Sequence, residues 1–237
     1  GLGVDILKAA EIVDKGEAEE FNSVTCTEGI YGSGRVEVGG GRLSGDGCVG
    51  AWAAKAVREY GTLGRRNYRD ERGDRRLPDL RRYSGRRARE WGRRGRGLPD
   101  VLEPISREHP VGDTSLVSDY EEVRDAVANG YPVPICSAMG FSKTRDKDGF
   151  SKPRGKWSHC MLITGVDDAF RRPGVLIQNS WGPDWIRGPK RHDQPDGSFW
   201  VEADDLDKAL RQYRDSFALS DYDGYRKKKK LNRYVML

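Results

Sequence analysis

Ser158-His159-Cys160-Met161-Leu162-Ile163-Thr164-Gly165 and, starting 20 residues after the histidine, Asn179-Ser180-Trp181-Gly182 decide how this chain is read. Each segment puts a polar side chain at the end of an apolar run. The runs 158–168 and 174–182 have strand composition and are bounded by Gly, Pro and Asp turn residues. A histidine at a strand end can serve as a general base. A side-chain amide beside it can hold its tautomer and ring orientation, and a tryptophan can keep water off that hydrogen bond. His159, Asn179 and Trp181 are therefore the candidate site residues.

Working outward, residues 131–139 and 197–203 read as two further strands. Upstream of them the chain reads as helical. Residues 1–15 are apolar around most of a helical circumference, with a narrow polar stripe of Asp5, Lys8, Glu11 and Lys15, which predicts a buried, central helix. Residues 51–60 form a second helix closed by Gly61, and a third is expected around Gly85 to Trp91. Ser118 to Asn129 is a helix capped by Ser118, with Glu121 completing a capping box and Gly130 ending it. The glycine-dense stretch 29–50 is expected to be loop. Helices followed by strands predict an α+β protein. Its parts are a helical lobe over 1–130, a β-rich lobe over 131–220 carrying the histidine and asparagine, and a basic tail over 221–237.

The 237 residues suffice for one large domain or two small packed lobes. Six Trp, ten Tyr and six Phe supply a core despite a charged fraction of 33%, which excludes wholesale disorder. No run approaches 18 apolar residues and no basic-then-apolar leader is present, so no membrane partner is implied and the compartment is left open. The net charge of +5 is uneven: residues 64–97 hold fourteen Arg against five acids, leaving the remainder at −4. The four cysteines, Cys26, Cys48, Cys136 and Cys160, have no zinc spacing and suggest no metal or cofactor. Thiols are the default, with room for one Cys26–Cys48 disulfide.

With these residues in view, the chain resembles the papain-like cysteine peptidases (C1-type). Their histidine opens a strand of apolar residues, as at His159 to Val166. Their asparagine sits in Asn-Ser-Trp-Gly, as at Asn179 to Gly182. Their next strand begins with Gly and an aromatic nearby, as at Gly197-Ser198-Phe199. The resemblance implies a helical lobe followed by an antiparallel β-sheet or barrel lobe, together one papain-like domain with the active-site cleft between them. It implies hydrolysis of peptide or amide bonds in a polypeptide substrate through a thioester. His159 would be the base, Asn179 its orienting partner and Trp181 the shield.

The resemblance also implies a cysteine nucleophile at the N-terminus of the central helix, where the helix dipole and an imidazolium lower a thiol pKa. A glutamine about six residues earlier would supply an oxyanion donor. Two registers are open. In one, Cys48 is the nucleophile before helix 51–60, but the glutamine position falls on Arg42 and the aromatic that follows the cysteine becomes Val49. In the other, Gly45 to Gly61 matches a later part of the family. The central helix is then 1–15, and the cysteine lies upstream of residue 1. The second is favoured because it accounts for the uncapped apolar helix 1–15 and for a chain that does not start with Met. Residues 1–237 would then be inactive alone.

The remaining features read blandly. Cys136 and Cys160 are expected in the core, with Cys160 on the strand face opposite His159. His109 and His192 are expected in solvent. Asp146-Lys147-Asp148-Gly149 is a charged turn, and 140–156 is a surface loop or a rim of the cleft. Two other function classes compete with the peptidase: a non-catalytic peptidase-fold binding protein, and a polyanion- or nucleic-acid-binding protein acting through Arg65–Arg96.

Overall fold

The computed structural model describes residues 1–15, 23–169 and 171–222. Their fold is mixed α+β, and they divide into two compact units: residues 1–114 with 219–222, and residues 115–218. The division falls before the helix near residue 120, so that helix belongs with the sheet, whereas the sequence had suggested a boundary near 130. Most of the basic tail, 223–237 with its Lys run, lies outside the described residues.

The first unit is helical. Helix α1 (Leu2–Lys15) buries Val4 and Leu7 against Val57, Val111 and Leu219. Leu2 and Ala9 are exposed, so of the described side chains only part of the circumference is buried, against the expectation of a helix buried nearly all round. The glycine-dense stretch is not all loop. It forms α2 (Thr27–Ser33), which runs into a π-helical turn over Gly34–Val38. Here the glycines permit close packing: a Cβ at Gly32 would sit 3.0 Å from the Trp91 Cβ, and one at Gly34 would sit 3.0 Å from the Cys48 Sγ. A glycine-rich composition reads as a turn, but its small residues serve here as a contact face.

Helix α3 (Gly50–Glu59) ends as expected, with Gly61 at φ +72°. Three short helices follow: α4 (Tyr68–Arg72), α5 (Gly85–Trp91) and α6 (Glu103–Arg107). They surround a core of Cys26, Leu63, Tyr68, Leu80, Trp91 and Leu98. The polar anchor of this unit is Glu28, 0% exposed. Its carboxylate accepts two hydrogen bonds from Arg65, at 3.0 and 2.6 Å, and one from the Ser84 N–H at 2.9 Å, with Arg87 at 3.4 Å.

The second unit begins within β1 (Val111–Leu116), which pairs with β6 (Phe217–Tyr222); the division runs through both strands. Helix α7 (Tyr120–Ala128) is capped one residue later than expected. Asp119 accepts from the Glu122 N–H at 2.9 Å, and Glu122 reaches back to the Ser118 N–H at 2.7 Å. Strands β2 (Val133–Phe141), β3 (Pro153–Asp167), β4 (Gly174–Gln178) and β5 (Ser198–Glu202) form one antiparallel sheet in sequence order. Helix α8 (Ala203–Tyr213) packs Leu206, Ala209 and Leu210 into the same core as Val133, Ile135, Ile163, Ile177 and Phe199.

Candidate active site

Register on the sheet places the site. His159 lies on β3 opposite Ser137 of β2, and Leu162 lies opposite Gln178, the last residue of β4. Asn179 follows directly, where the chain leaves the sheet. Gly182 at φ +95° bends the segment, and Gln178 Nε2 donates to the carbonyls of Asn179 and Asp196 at 3.1 and 3.0 Å. The result brings His159 Nε2 to 2.9 Å from Asn179 Oδ1.

The direction of that bond follows from a neighbour. The Ser180 N–H also points at Asn179 Oδ1, at 2.7 Å. A backbone N–H donates only, so this atom of Asn179 is the acceptor oxygen and not the amide nitrogen. His159 Nε2 must therefore carry the proton. Its other nitrogen, Nδ1, remains the basic one in the neutral ring and is the atom able to take up a proton. Asn179 is only 4% exposed, so the bond is made largely out of water.

Aromatic rings cover the pair. Trp181 stacks on the imidazole with centroids 4.8 Å apart and planes at 26°, while remaining 47% exposed. Trp157 lies 4.6 Å from Trp181 and 5.8 Å from His159. Trp185 meets Trp181 edge-on at 5.5 Å and donates its indole N–H to the Gly197 carbonyl at 2.6 Å. The sequence reading missed Trp157 and Trp185. Trp157 was legible: it stands two residues before His159 on one strand, hence on the same face. Gly140 makes room for it, since a Cβ there would run into the Trp157 indole nitrogen.

The chain's four cysteines sit in different settings. Cys26 is 0% exposed, and burial together with the neighbouring Glu28 carboxylate pushes its thiol up to about 11. Cys48 precedes α3 in a loop whose carbonyls of Leu43, Gly45 and Gly47 are gripped by the buried Arg35. Its Sγ packs on Gly34 and lies 3.4 Å from the Val49 carbonyl. Arg42, at the glutamine position of that register, donates to the Gly39 carbonyl and lies over Trp52. Cys136 and Cys160 are not the core thiols expected from sequence: Cys136 is half-buried and Cys160 exposed. The face opposite His159 is the outer one, because His159 shares the core face with Ile135, Met161 and Ile163. None of the four is in a disulfide, so the Cys26–Cys48 bridge is not formed.

Part of the arginine segment is paired within the fold, although most of its arginines are exposed. Arg65 and Arg87 serve Glu28, Arg66 pairs with Glu71, Arg72 with Glu108, Arg76 with Asp74 and Arg81 with Asp79. Its interleaved aromatics Tyr68 and Trp91 are buried core, and only Tyr83 faces solvent. Asp146 to Gly149 is a charged turn held by Arg172, and no group of three or more metal-ligating side chains occurs among the described residues. His109 and His192 are exposed. No described helix is long and apolar enough to cross a membrane.

Comparison with known proteins adds the fold. No protein-family model matches the sequence, and no curated protein matches it. Among solved structures the chain is similar to xylellain, a cysteine protease from Xylella fastidiosa. The two are 16% identical with a TM-score of 0.57, over 93% of this chain and 77% of that one. It also matches digestive procathepsin L 3 of Tenebrio molitor larval midgut, with 12% identity and a TM-score of 0.46 over 92% of this chain and 62% of that chain. A third match is procathepsin B S9 from Trypanosoma congolense, at 13% and 0.45 over 93% and 68%. At such identity the likeness to xylellain concerns the fold: this chain has the mixed α+β architecture of the papain-like cysteine proteases.

Proposed function

We propose that the protein is a cysteine peptidase acting on polypeptides. His159 is its general base, Asn179 the residue that orients the imidazole and Trp181 the shield of their hydrogen bond. The observation that carries this is the contact of His159 Nε2 with Asn179 Oδ1, whose polarity, fixed by the Ser180 N–H, leaves Nδ1 as the proton acceptor. In the proposed reaction, Nδ1 takes the proton of a cysteine thiol as the thiolate attacks the substrate carbonyl. The imidazolium then protonates the departing amine, leaving a thioester. Water, deprotonated by Nδ1, attacks the thioester and restores thiol and imidazole.

The nucleophile in this proposal is a cysteine outside residues 1–237. Support comes from the setting of Cys26, buried with its thiol pushed up to about 11, from Arg42 standing where the Cys48 register needs a glutamine, and from the placement of Cys136 and Cys160 on the face opposite His159. The test is hydrolysis of fluorogenic peptidyl amides by the product of the complete reading frame, with a peptide epoxide to mark the reactive thiol. Turnover and labelling that both vanish in His159→Ala support the proposal. Folded protein with no turnover, and no thiol labelled in a His159-dependent manner, leaves a non-catalytic binding protein on a peptidase fold.

A further inference from the structure

On the outer face of the sheet, one strand position from His159 and Ser137, stand two cysteines. Cys136 of β2 and Cys160 of β3 are directly opposite each other in the antiparallel register. Two kinds of opposed pair exist in such a ladder, and the backbone tells which this is. The Cys136 N–H points away from β3 and donates to Ser216 Oγ at 3.1 Å, and the next outward N–H, of Ala138, donates to Gln212 Oε1 at 3.1 Å. β2 is the edge of the four-stranded sheet, so these groups satisfy its free edge. Cys136 and Cys160 are thus a non-hydrogen-bonded pair. In that kind of pair the Cα atoms stand about 4.5 Å apart and side chains are closest, a spacing within the range of roughly 4.4–6.8 Å that a disulfide spans. The two sulfurs lie 2.9 Å apart.

The pair is accessible, since Cys160 is exposed and Cys136 partly so. The Cys136 thiol, donating to Cys160 Sγ, is the leading cause that holds the Cys160 thiol below its usual range, which favours Cys160 as the attacking thiolate. Neither cysteine has a part in the proposed peptidase chemistry.

We infer that Cys136 and Cys160 form a redox-active dithiol that closes reversibly into a cross-strand disulfide with a low-molecular-weight disulfide as oxidant. The Cys160 thiolate attacks one sulfur of the oxidant, forming a mixed disulfide and releasing one thiolate. Cys136 then gives up its proton and attacks Cys160 Sγ, displacing the second thiolate. The two cysteine protons end on the two released thiols, so the protein loses two electrons and the oxidant gains them. The product staples β2 to β3 beside the strand positions of Ser137 and His159. The inference rests on the sheet register and stands or falls independently of any peptidase activity.

The test is equilibration of the folded protein with oxidised and reduced glutathione over a range of ratios. Acid quenching, thiol titration after unfolding, and peptide mapping follow. The titratable thiols of residues 1–237 should fall from four to two, with one linked peptide pair, Cys136–Cys160, that dithiothreitol reopens. Cys136→Ser should arrest the reaction at a glutathione adduct on Cys160, and Cys48→Ser should leave the crosslink intact. All four thiols persisting at every ratio, links scattered over Cys26 and Cys48, or a stable glutathione adduct on Cys160 of the unsubstituted protein would each overturn it.

Discussion

Replacing Glu28 by Gln tests whether the helical unit is organised around one buried carboxylate. Gln keeps the size of the side chain and removes its charge. Arg65, whose side chain is 12% exposed, then faces an amide with one acceptor where it had two, and the Ser84 N–H competes for the same oxygen. Removing one partner of a buried ion pair destabilises by about 3–5 kcal/mol, because the other charge stays buried without compensation. For a chain of this size each kcal/mol moves the midpoint by about 2–4 °C, so the expected fall is roughly 6–20 °C.

The comparison is Asp79→Asn. Asp79 has the same two-pronged contact with Arg81, which holds its carboxyl at about 2, but Arg81 is 64% exposed. That contact is screened, and its loss should leave the midpoint unmoved within error. The pH dependence has a sign as well. Burial pushes the Glu28 carboxyl up, but hydrogen bonds from Arg65 and the Ser84 N–H outweigh it and leave it below the usual range. A depressed folded value means the stabilisation is complete above the unfolded value of about 4.3 and is lost as pH falls through the folded one. The difference between the parent and Glu28→Gln should be constant above about pH 5 and shrink in more acidic solution. Urea and thermal unfolding read this directly. A loss below about 1 kcal/mol, or a difference that widens on acidification, would refute the burial reasoning.

Three further outcomes are expected. Gly140→Ala should destabilise by about 1–3 kcal/mol and alter the near-ultraviolet circular dichroism of the tryptophans, because the new methyl group displaces Trp157; an unchanged spectrum would show that Trp157 does not need the gap. Cys26 should resist iodoacetamide in the folded protein at pH 8, being fully buried with its thiol near 11, and react only on unfolding; ready labelling would contradict that placement. Closing the Cys136–Cys160 disulfide, a span of 24 residues, should raise stability by about 3.5 kcal/mol from loop closure, read as a higher urea midpoint.

Much of the sheet unit was legible because its signals are local. Apolar runs punctuated by Gly and Pro mark β2 to β5, and the His159 and Asn179 segments stand out as polar groups at apolar strand ends. Helix α8 was not found, because its acidic start and charged faces hide a narrow stripe of Leu206, Ala209 and Leu210. The helices around Gly29 to Val38 were hidden by their glycines, which serve close packing against Trp91 and Cys48. Glu28 could not be recognised either: its partners Arg65, Ser84 and Arg87 are far away in the chain, and fourteen arginines in one segment read as a charged surface. Cys136 and Cys160 were assigned to the wrong side of the sheet. Alternation gives two faces, but only the packing of α7 and α8 decides which is inside.

The most direct test of the peptidase proposal is peptidyl-amide hydrolysis by the complete gene product beside residues 1–237, each with His159 intact and as His159→Ala, and with Asn179→Ala as the orienting variant. Hydrolysis by the complete product, its loss with His159→Ala, a fall of about 100-fold with Asn179→Ala, and a peptide epoxide attached to a cysteine outside residues 1–237 are the expected results. Turnover that survives His159→Ala, or a His159-dependent label on Cys48, would contradict the assignment.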